Sequence, residues 1–402
     1  MVLVGIVGKP NTGKSTFFSA ATLIPVPIDN RPFTTIKPNR GIGNLRVPCV
    51  CKELGVKDEP ANSACVNGVR LIPVELVDCA GLVPDSWRGK GLGNYFLDEI
   101  RKADALIHIV DASGSTDAAG RQCSPGARDP LDDVLFLENE ITMWIKQIIQ
   151  KNWKKISQMV EINRGKLQDL LCDRLSGLAV NSVHLVEAVA KAKLDANRPS
   201  KWSEEDLTNF ALQLQKAAKP IIIAANKIDL PHAEENIPRL REKGNLVYPC
   251  CAEAELILRR AAEKQLIQYT PGDSSFTIQG PGMLTDSQEK ALNIIKDKIL
   301  MKWGTTGVQE AVNESFFNLL QMITVYPIES VEKFSDHNGR VLPDVYLVPR
   351  GTNVKKFGYI IHTDLGSGFL YAIDARSKLR LGENYVLKDR DVIRIVSTKA
   401  RR

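Results

Sequence analysis

Eight residues near the start of the chain, Gly8-Lys9-Pro10-Asn11-Thr12-Gly13-Lys14-Ser15, fill the spacing G-x-x-x-x-G-K-[ST] without a mismatch. The apolar run Val2-Leu3-Val4-Gly5-Ile6-Val7 ahead of them reads as a buried strand, and Thr16 to Ala21 reads as the start of a helix. A strand, loop and helix in that order aim successive backbone N–H groups and a helix N-terminus at one point, which favours an anion there. Lys14 would reach the β- and γ-phosphates of a nucleotide, and the Ser15 hydroxyl would bind Mg²⁺. The loop therefore implies an α/β sheet with its ligand at the carboxyl ends of the strands. Alone it does not choose the nucleotide.

The 402 residues are enough for two or three domains, and 44% apolar with 25% charged residues is ordinary for a globular chain. No apolar run approaches the roughly 18–20 residues of a membrane span. The chain opens directly in the first strand, without a basic leader. It is read as cytoplasmic, monomeric and without a membrane partner. Eight cysteines in so long a chain are not a secreted disulfide framework. Cys49-x-Cys51, Cys65 and Cys79 are the one grouping that could suggest a thiolate metal site. The C-x-C spacing without a nearby second pair is poor zinc geometry, so they are read as reduced, partly buried thiols. The net charge of +6 is uneven. Residues 326–402 hold 14 Lys/Arg against 9 Asp/Glu, and residues 141–175 hold seven against three. Two basic regions on a mildly acidic body suit a polyanionic partner or, equally, ordinary solvated faces.

Strand and helix patterns alternate to about residue 113, with strands at 74–77 and 105–110 and a helix from Asn94 to Lys102. His108, inside the second of these strands, reads as a core histidine. Residues 114–131 read as a loop, ended by the helix-start signal Asp129-Pro130. Apolar residues at helical spacing follow, among them Leu137, Ile141, Ile145, Ile149, Ile156 and Val160. Ser203-Glu204-Glu205-Asp206 opens a further helix with a capping-box pattern. The sheet resumes at 220–225, and short β-rich pieces begin near Tyr326. The domains expected are a first sheet segment at 1–131, a helical insertion at 132–218, a second sheet segment at 219–321 and a small β domain at 322–402.

Two further motifs name the nucleotide. Asp78-Cys79-Ala80-Gly81 follows the 74–77 strand, where a carboxylate can hold the metal and the Gly81 amide can approach a γ-phosphate. Asn226-Lys227-Ile228-Asp229 follows the 220–225 strand. The Asp229 carboxylate can accept from guanine N1–H and its 2-amino group, a donor pair that adenine lacks. Asn226 would brace the loop and the Lys227 stem would cover the ring. Cys251-Ala252-Glu253 lies where a backbone amide could read guanine O6.

Taken together, Gly8–Ser15, Pro32–Pro38, Asp78–Val83, Gly89–Gly93, Asn226–Asp229 and Cys251–Glu255 resemble the Obg-related GTPases, in the archaeal and fungal form of the YchF/Obg-like group. Leu342-Pro343, His362 to Gly366 and Phe369 to Ala372 resemble a TGS domain. The resemblance implies a P-loop G domain, a mostly parallel sheet flanked by helices, with a helical insertion and a C-terminal β-grasp module. It implies GTP and GDP as ligands with Mg²⁺, and ribosome or RNA as partner through the insertion and the TGS-like module. Nucleotide contacts fall on Gly8, Lys9, Pro10, Asn11, Thr12, Gly13, Lys14, Ser15, Thr16, Asn226, Lys227, Asp229, Cys251, Ala252 and Glu253. Metal contacts fall on Ser15, Thr35 and Asp78, and catalytic roles on Lys14, Thr35 and Gly81. Thr35 is chosen over Thr34 on the resemblance alone, and Asn11 resembles a K⁺-binding position of some related GTPases.

Leu82 stands where many GTPases place the glutamine that orients the attacking water. A leucine cannot hydrogen-bond water. The expected activity is therefore slow GTP hydrolysis that depends on another group, a partner or a cation. The alternative is a nucleotide-stabilised RNA- or ribosome-binding module with negligible hydrolysis.

Overall fold

The computed structural model describes residues 2–26, 38–79, 81, 86–88, 99–242, 244–280 and 282–398. Thr35, Leu82, most of the 94–102 helix and the glycines at 89, 91 and 93 lie outside the described residues. Chain contacts gather into two compact units, one of 1–43 with 75–315 and one of 44–74 with 316–402.

The first unit is built on a parallel sheet. Its central strand β1 (Leu3–Val7) is buried at every residue. A strand hidden on both faces has to be a continuous apolar run, which is why Val2–Val7 was legible. β2 (Asn39–Pro48) and, after the short β3 (Ala64–Val66), β4 (Val69–Asp78) are ten-residue strands that begin or end in this unit. β4 pairs with β1 in parallel, Leu3 opposite Glu75 through Ile6 opposite Asp78. On the other side β1 pairs with β5 (Ala105–Asp111), β5 with β6 (Ile221–Asn226) and β6 with β7 (Val247–Pro249), all parallel. The carboxyl ends of β1, β4 and β6, where the three motifs begin, therefore open on one edge of the sheet.

The helices follow their start signals. α1 (Lys14–Thr22) leaves the phosphate loop, and a five-residue α2 (Val50–Leu54) comes next in the chain. α3 (Pro130–Gln150) has Pro130 in its first turn, and the capping Asp129 side chain accepts from Leu131 N at 3.0 Å. The stripe from Leu137 to Val160 is buried but runs through two helices, because α3 ends and α4 (Trp153–Glu161) starts after Asn152. α5 (Leu167–Leu175), α6 (Ser182–Ala192) and α7 (Glu204–Ala218) complete the insertion. Trp202 packs between Trp153 and Phe210, with ring centroids 5.1 and 5.2 Å away, so these aromatics are core. Ser203 and Asp206 form the reciprocal capping box at the start of α7.

The second unit carries a five-stranded sheet made by β8 (Met322–Ile328), β9 (Tyr346–Pro349), β10 (Phe369–Asp374), β11 (Arg380–Leu381) and β12 (Asp391–Ser397), in the order β9-β8-β12-β10-β11. β8 and β12 are parallel neighbours, and a helix, Val354–Ile361, lies in sequence between β9 and β10 and packs Val354 and Phe357 into the core. That is a β-grasp arrangement. Residues 44–74 join this unit, whereas the sequence reading kept them in the first sheet segment. The joining bonds are long-range. Glu59 N and Ala61 N donate to Val341 O and Pro343 O, and Asn62 exchanges bonds with the Val345 backbone. Buried Arg70 donates to Leu342 O and Pro343 O at 2.8 and 3.1 Å. Pairings 280 residues apart leave no local pattern to read.

Candidate functional site

The phosphate loop is bent by residues that tolerate it. Gly8 and Gly13 have φ of +146° and +96°, and Asn11 adopts a left-handed φ of 61°. A Cβ on Gly8 would stand 2.5 Å from Ile109 O, and one on Gly13 would run into the Asn226 side-chain amide. Lys14 opens α1 with its amine buried and donating to Lys9 O at 2.8 Å. Burial pushes that amine down to about 8, against the pull of Asp78 and Cys79. A polyphosphate beside it would restore the missing counter-charge.

Asp78, at the end of β4, is 1% exposed. Its Oδ2 accepts from Ser15 Oγ at 3.1 Å, while its buried Oδ1 has no hydrogen-bond partner. Burial raises its pKa, with Lys14 and the Ser15 hydroxyl pulling the other way. An orphan carboxylate oxygen next to a serine hydroxyl is costly without a cation or water, and it fits the hard-oxygen ligation of Mg²⁺. Gly81 lies close to the loop, where a Cβ would meet Pro10 Cγ at 3.0 Å.

Asn226 joins the base motif to the phosphate loop. Its Nδ2 donates to Thr12 O at 2.9 Å and its Oδ1 accepts from Ala252 N at 3.0 Å. Those two bonds fix the side chain in both directions. The second also changes one expectation: the Ala252 amide is engaged by Asn226, and the Cys251 amide donates to Thr306 O, so neither stands open for a base oxygen. Asp229 is exposed, and its Oδ1 accepts from the Cys251 thiol at 3.4 Å. Lys227, at a left-handed φ of 65°, pairs through its amine with Asp111 Oδ2 at 2.8 Å.

Behind the loop is a polar buttress that the sequence reading passed over as a plain connection. Lys9 is 5% exposed, and its amine donates to Thr116 O at 2.7 Å and to Asp133 at 2.8 Å. Its side chain thus serves the scaffold, leaving only its backbone for a nucleotide. Asn11 donates to Gly120 O at 2.7 Å. Asp111 gathers Ser113, Ser115, Thr116 and Lys227 around its carboxylate. Burial alone would raise Asp111, but the Lys227 charge and these hydrogen bonds outweigh it and hold it below the usual carboxylate range. Asp133 goes the other way, pushed up to about 6 by burial despite Lys9. The available signal was Asp111 at the carboxyl end of an apolar strand, followed by a Ser/Thr/Gly run. His108 is a buried core residue as expected, driven down to about 3 by burial and the nearby Lys14 and Lys9 charges.

Family models match three stretches: a 50S ribosome-binding GTPase over residues 3–157, the G4 motif-containing domain of Obg-like GTPase YGR210-like over 224–330, and a TGS domain over 338–397. The GTP-binding protein MJ1332 of Methanocaldococcus jannaschii is 49% identical over 399 residues, 99% of each chain. The chain belongs to the Obg-like GTPases. A solved GTP-binding protein from Pyrococcus horikoshii has 40% identity and a TM-score of 0.78, covering 99% of this chain and all of that one. The ribosome-binding ATPase YchF of Bacillus subtilis is 26% identical, covering 97% of each chain. This Obg-like GTPase is therefore a GTP-binding, YchF-like protein whose P-loop G domain is followed by a TGS domain. Among its described residues no helix is long and apolar enough to cross a membrane.

Proposed function

We propose that the protein is a Mg²⁺-dependent, slowly hydrolysing GTP switch that works on the ribosome or its RNA. The observation that carries this reading is the Asn226 bracket, which makes the base-reading motif and the phosphate loop one mechanical piece. Asp229 then selects guanine through its two donors, and the ATPase named among the relatives does not set the preference here. Lys14 and the backbone N–H groups of the Gly8–Thr16 loop, Pro10 having none, would hold the phosphates, and Ser15, Asp78 and Thr35 would hold the metal. Bound there, Mg²⁺ would neutralise charge on the β- and γ-phosphates. Gly81 would place its amide toward the γ-phosphate, so that hydrolysis relaxes the segment after it.

The B. subtilis relative is named for ribosome binding. In this chain Lys151, Lys154, Lys155, Arg164, Lys166 and Arg174 are all exposed on α4, α5 and their flanks. A cluster of exposed cations on a helical arm suits phosphate contacts, which would make docking salt-dependent. Co-sedimentation with ribosomal subunits in GTP, GDP and nucleotide-free states tests the partner. Binding in one state only, lost at high salt, is expected, and equal or absent pelleting in all three would overturn it. Single-turnover GTP hydrolysis, with and without subunits, Mg²⁺ and K⁺, tests the chemistry. Leu82 favours one second reading, a nucleotide-stabilised binding module, and hydrolysis that nothing stimulates would establish it.

A further inference from the structure

Three of the eight cysteines meet at one place in the second unit, and the fourth group there is not Cys79. Cys49 caps the short α2 in an extended conformation, with φ −74° and ψ 138°, and Cys51 is the second residue of that helix. Gly55 turns the chain back at a left-handed φ of 64°, and Asp58 follows in the returning loop. Cys65 sits on β3, directly opposite Arg70 on β4. One sulfur from each cysteine and a carboxylate oxygen of Asp58 all lie within 4.8 Å of one another. Cys79 is buried elsewhere, in the first unit.

The distances are those of a coordination shell. A tetrahedral zinc site with Zn–S near 2.3 Å holds its sulfurs about 3.8 Å apart. Cys51 Sγ and Cys65 Sγ are 3.9 Å apart, and Cys49 Sγ is 3.2 Å from Asp58 Oδ2. The backbone is fixed independently of any metal. Cys49 N donates to Gly68 O at 2.9 Å, and Val56 N donates to Cys51 O at 3.0 Å. A second layer of contacts orients the carboxylate. Arg70, fully buried, donates to Asp58 Oδ2 at 2.7 Å and also to Leu342 O and Pro343 O. Thiols packed as small hydrophobes would not gather around a carboxylate. Among the described residues no other group of three or more cysteine, histidine or acidic side chains converges in this way.

The geometry points to a structural Zn²⁺ site formed by Cys49, Cys51, Asp58 and Cys65. Four protein ligands close the shell, so its work is to hold the 44–74 segment together, and three thiolates select zinc over a hard cation. The C-x-C-x6-D-x6-C spacing hides it, because the fourth ligand is a carboxylate and not the second member of a cysteine pair.

The test uses the full chain, prepared under reducing conditions from zinc-replete cells without chelator. Elemental mass spectrometry should find one zinc per chain, and the Cys79→Ser control should keep it. The double change Cys49→Ser with Cys65→Ser should lose it. In case that variant folds poorly, apo wild-type protein titrated with Co²⁺ should develop intense sulfur-to-cobalt charge-transfer bands that saturate at one equivalent. Asp58→Cys should keep the metal and strengthen those bands, since a fourth thiolate joins the shell. Metal-free protein that shows no thiolate bands with Co²⁺ would overturn the site. So would zinc retained after the double change, or a Cys51–Cys65 disulfide in the reduced preparation.

Discussion

The two ends of the nucleotide site are built in opposite ways. At the phosphate end the side chains, Lys9 and Lys14 buried and Asn11 and Ser15 half-buried, are each held by a bond within the protein: Lys9 to Asp133, Asn11 to the Gly120 carbonyl, Lys14 to the loop carbonyl and Ser15 to Asp78. At the base end Asp229 is exposed, and its carboxylate meets one thiol. On the proposed reading, the phosphate end would gain affinity from groups already held in place before the ligand arrives. On the same reading, the base end would gain selectivity from a single carboxylate that either finds its two donors or is left without them. Asn226, bonded to both, is where the two designs meet.

Breaking the base end should give the larger effect. In Asp229→Asn, one oxygen faces two guanine donors and the amide opposes one of them. Two charge-assisted hydrogen bonds at about 1.5–3 kcal/mol each predict a loss in GTP affinity on the order of a thousandfold. Xanthosine triphosphate, whose base offers an acceptor instead of the amino group, should bind the variant better than GTP. Isothermal titration with both nucleotides checks this, and unchanged GTP affinity would remove Asp229 from base recognition. Gly13→Ala attacks the phosphate end. The new methyl meets the Asn226 amide at a φ that L residues avoid, so the Thr12 bond must break. A cost of about 2–3 kcal/mol predicts a GTP affinity about a hundredfold lower, with GDP weakened alike. If GTP fell and GDP did not, the bracket would be acting on the γ-phosphate alone.

How much of this was readable depended on how local the encoding is. The phosphate loop, the Asp129-Pro130 helix start and the Ser203–Asp206 box are short-range patterns, and each appears where its residues imply. The buttress around Asp111 was not readable, because Lys9–Asp133 spans 124 positions and a Ser/Thr-rich run looks like any loop. The grouping of residues 44–74 with 316–402 was not readable for the same reason, its defining bonds running to 341–345. The cysteines were seen and set aside on spacing, since nothing in the sequence puts Asp58 beside them. In Cys251–Glu253 the sequence offers a backbone amide to the base without saying which, and in the structure the Ala252 amide is taken by Asn226.

The smaller effects separate the two ends by pH and by a single atom. With the Lys14 amine at about 8 in the free protein, nucleotide binding above that pH requires proton uptake. GTP affinity should be level below pH 7 and fall about tenfold by pH 9, in proportion to the protonated fraction of a group with that pKa. Lys14→Arg stays charged throughout and should flatten the profile, even though its longer fork fits the loop less well. A profile that persists in the arginine variant would belong to the base end, through guanine N1–H, and not to Lys14. Cys251→Ser is the smallest change. A hydroxyl in place of the thiol donates more strongly to Asp229 Oδ1, which holds the carboxylate in place but uses one of its lone pairs. A carboxylate has acceptor capacity for that bond and for both guanine donors, so GTP affinity should change by less than about threefold. A loss as large as that of Asp229→Asn would mean that the base end is as tightly pre-set as the phosphate end, and the contrast between them would fall.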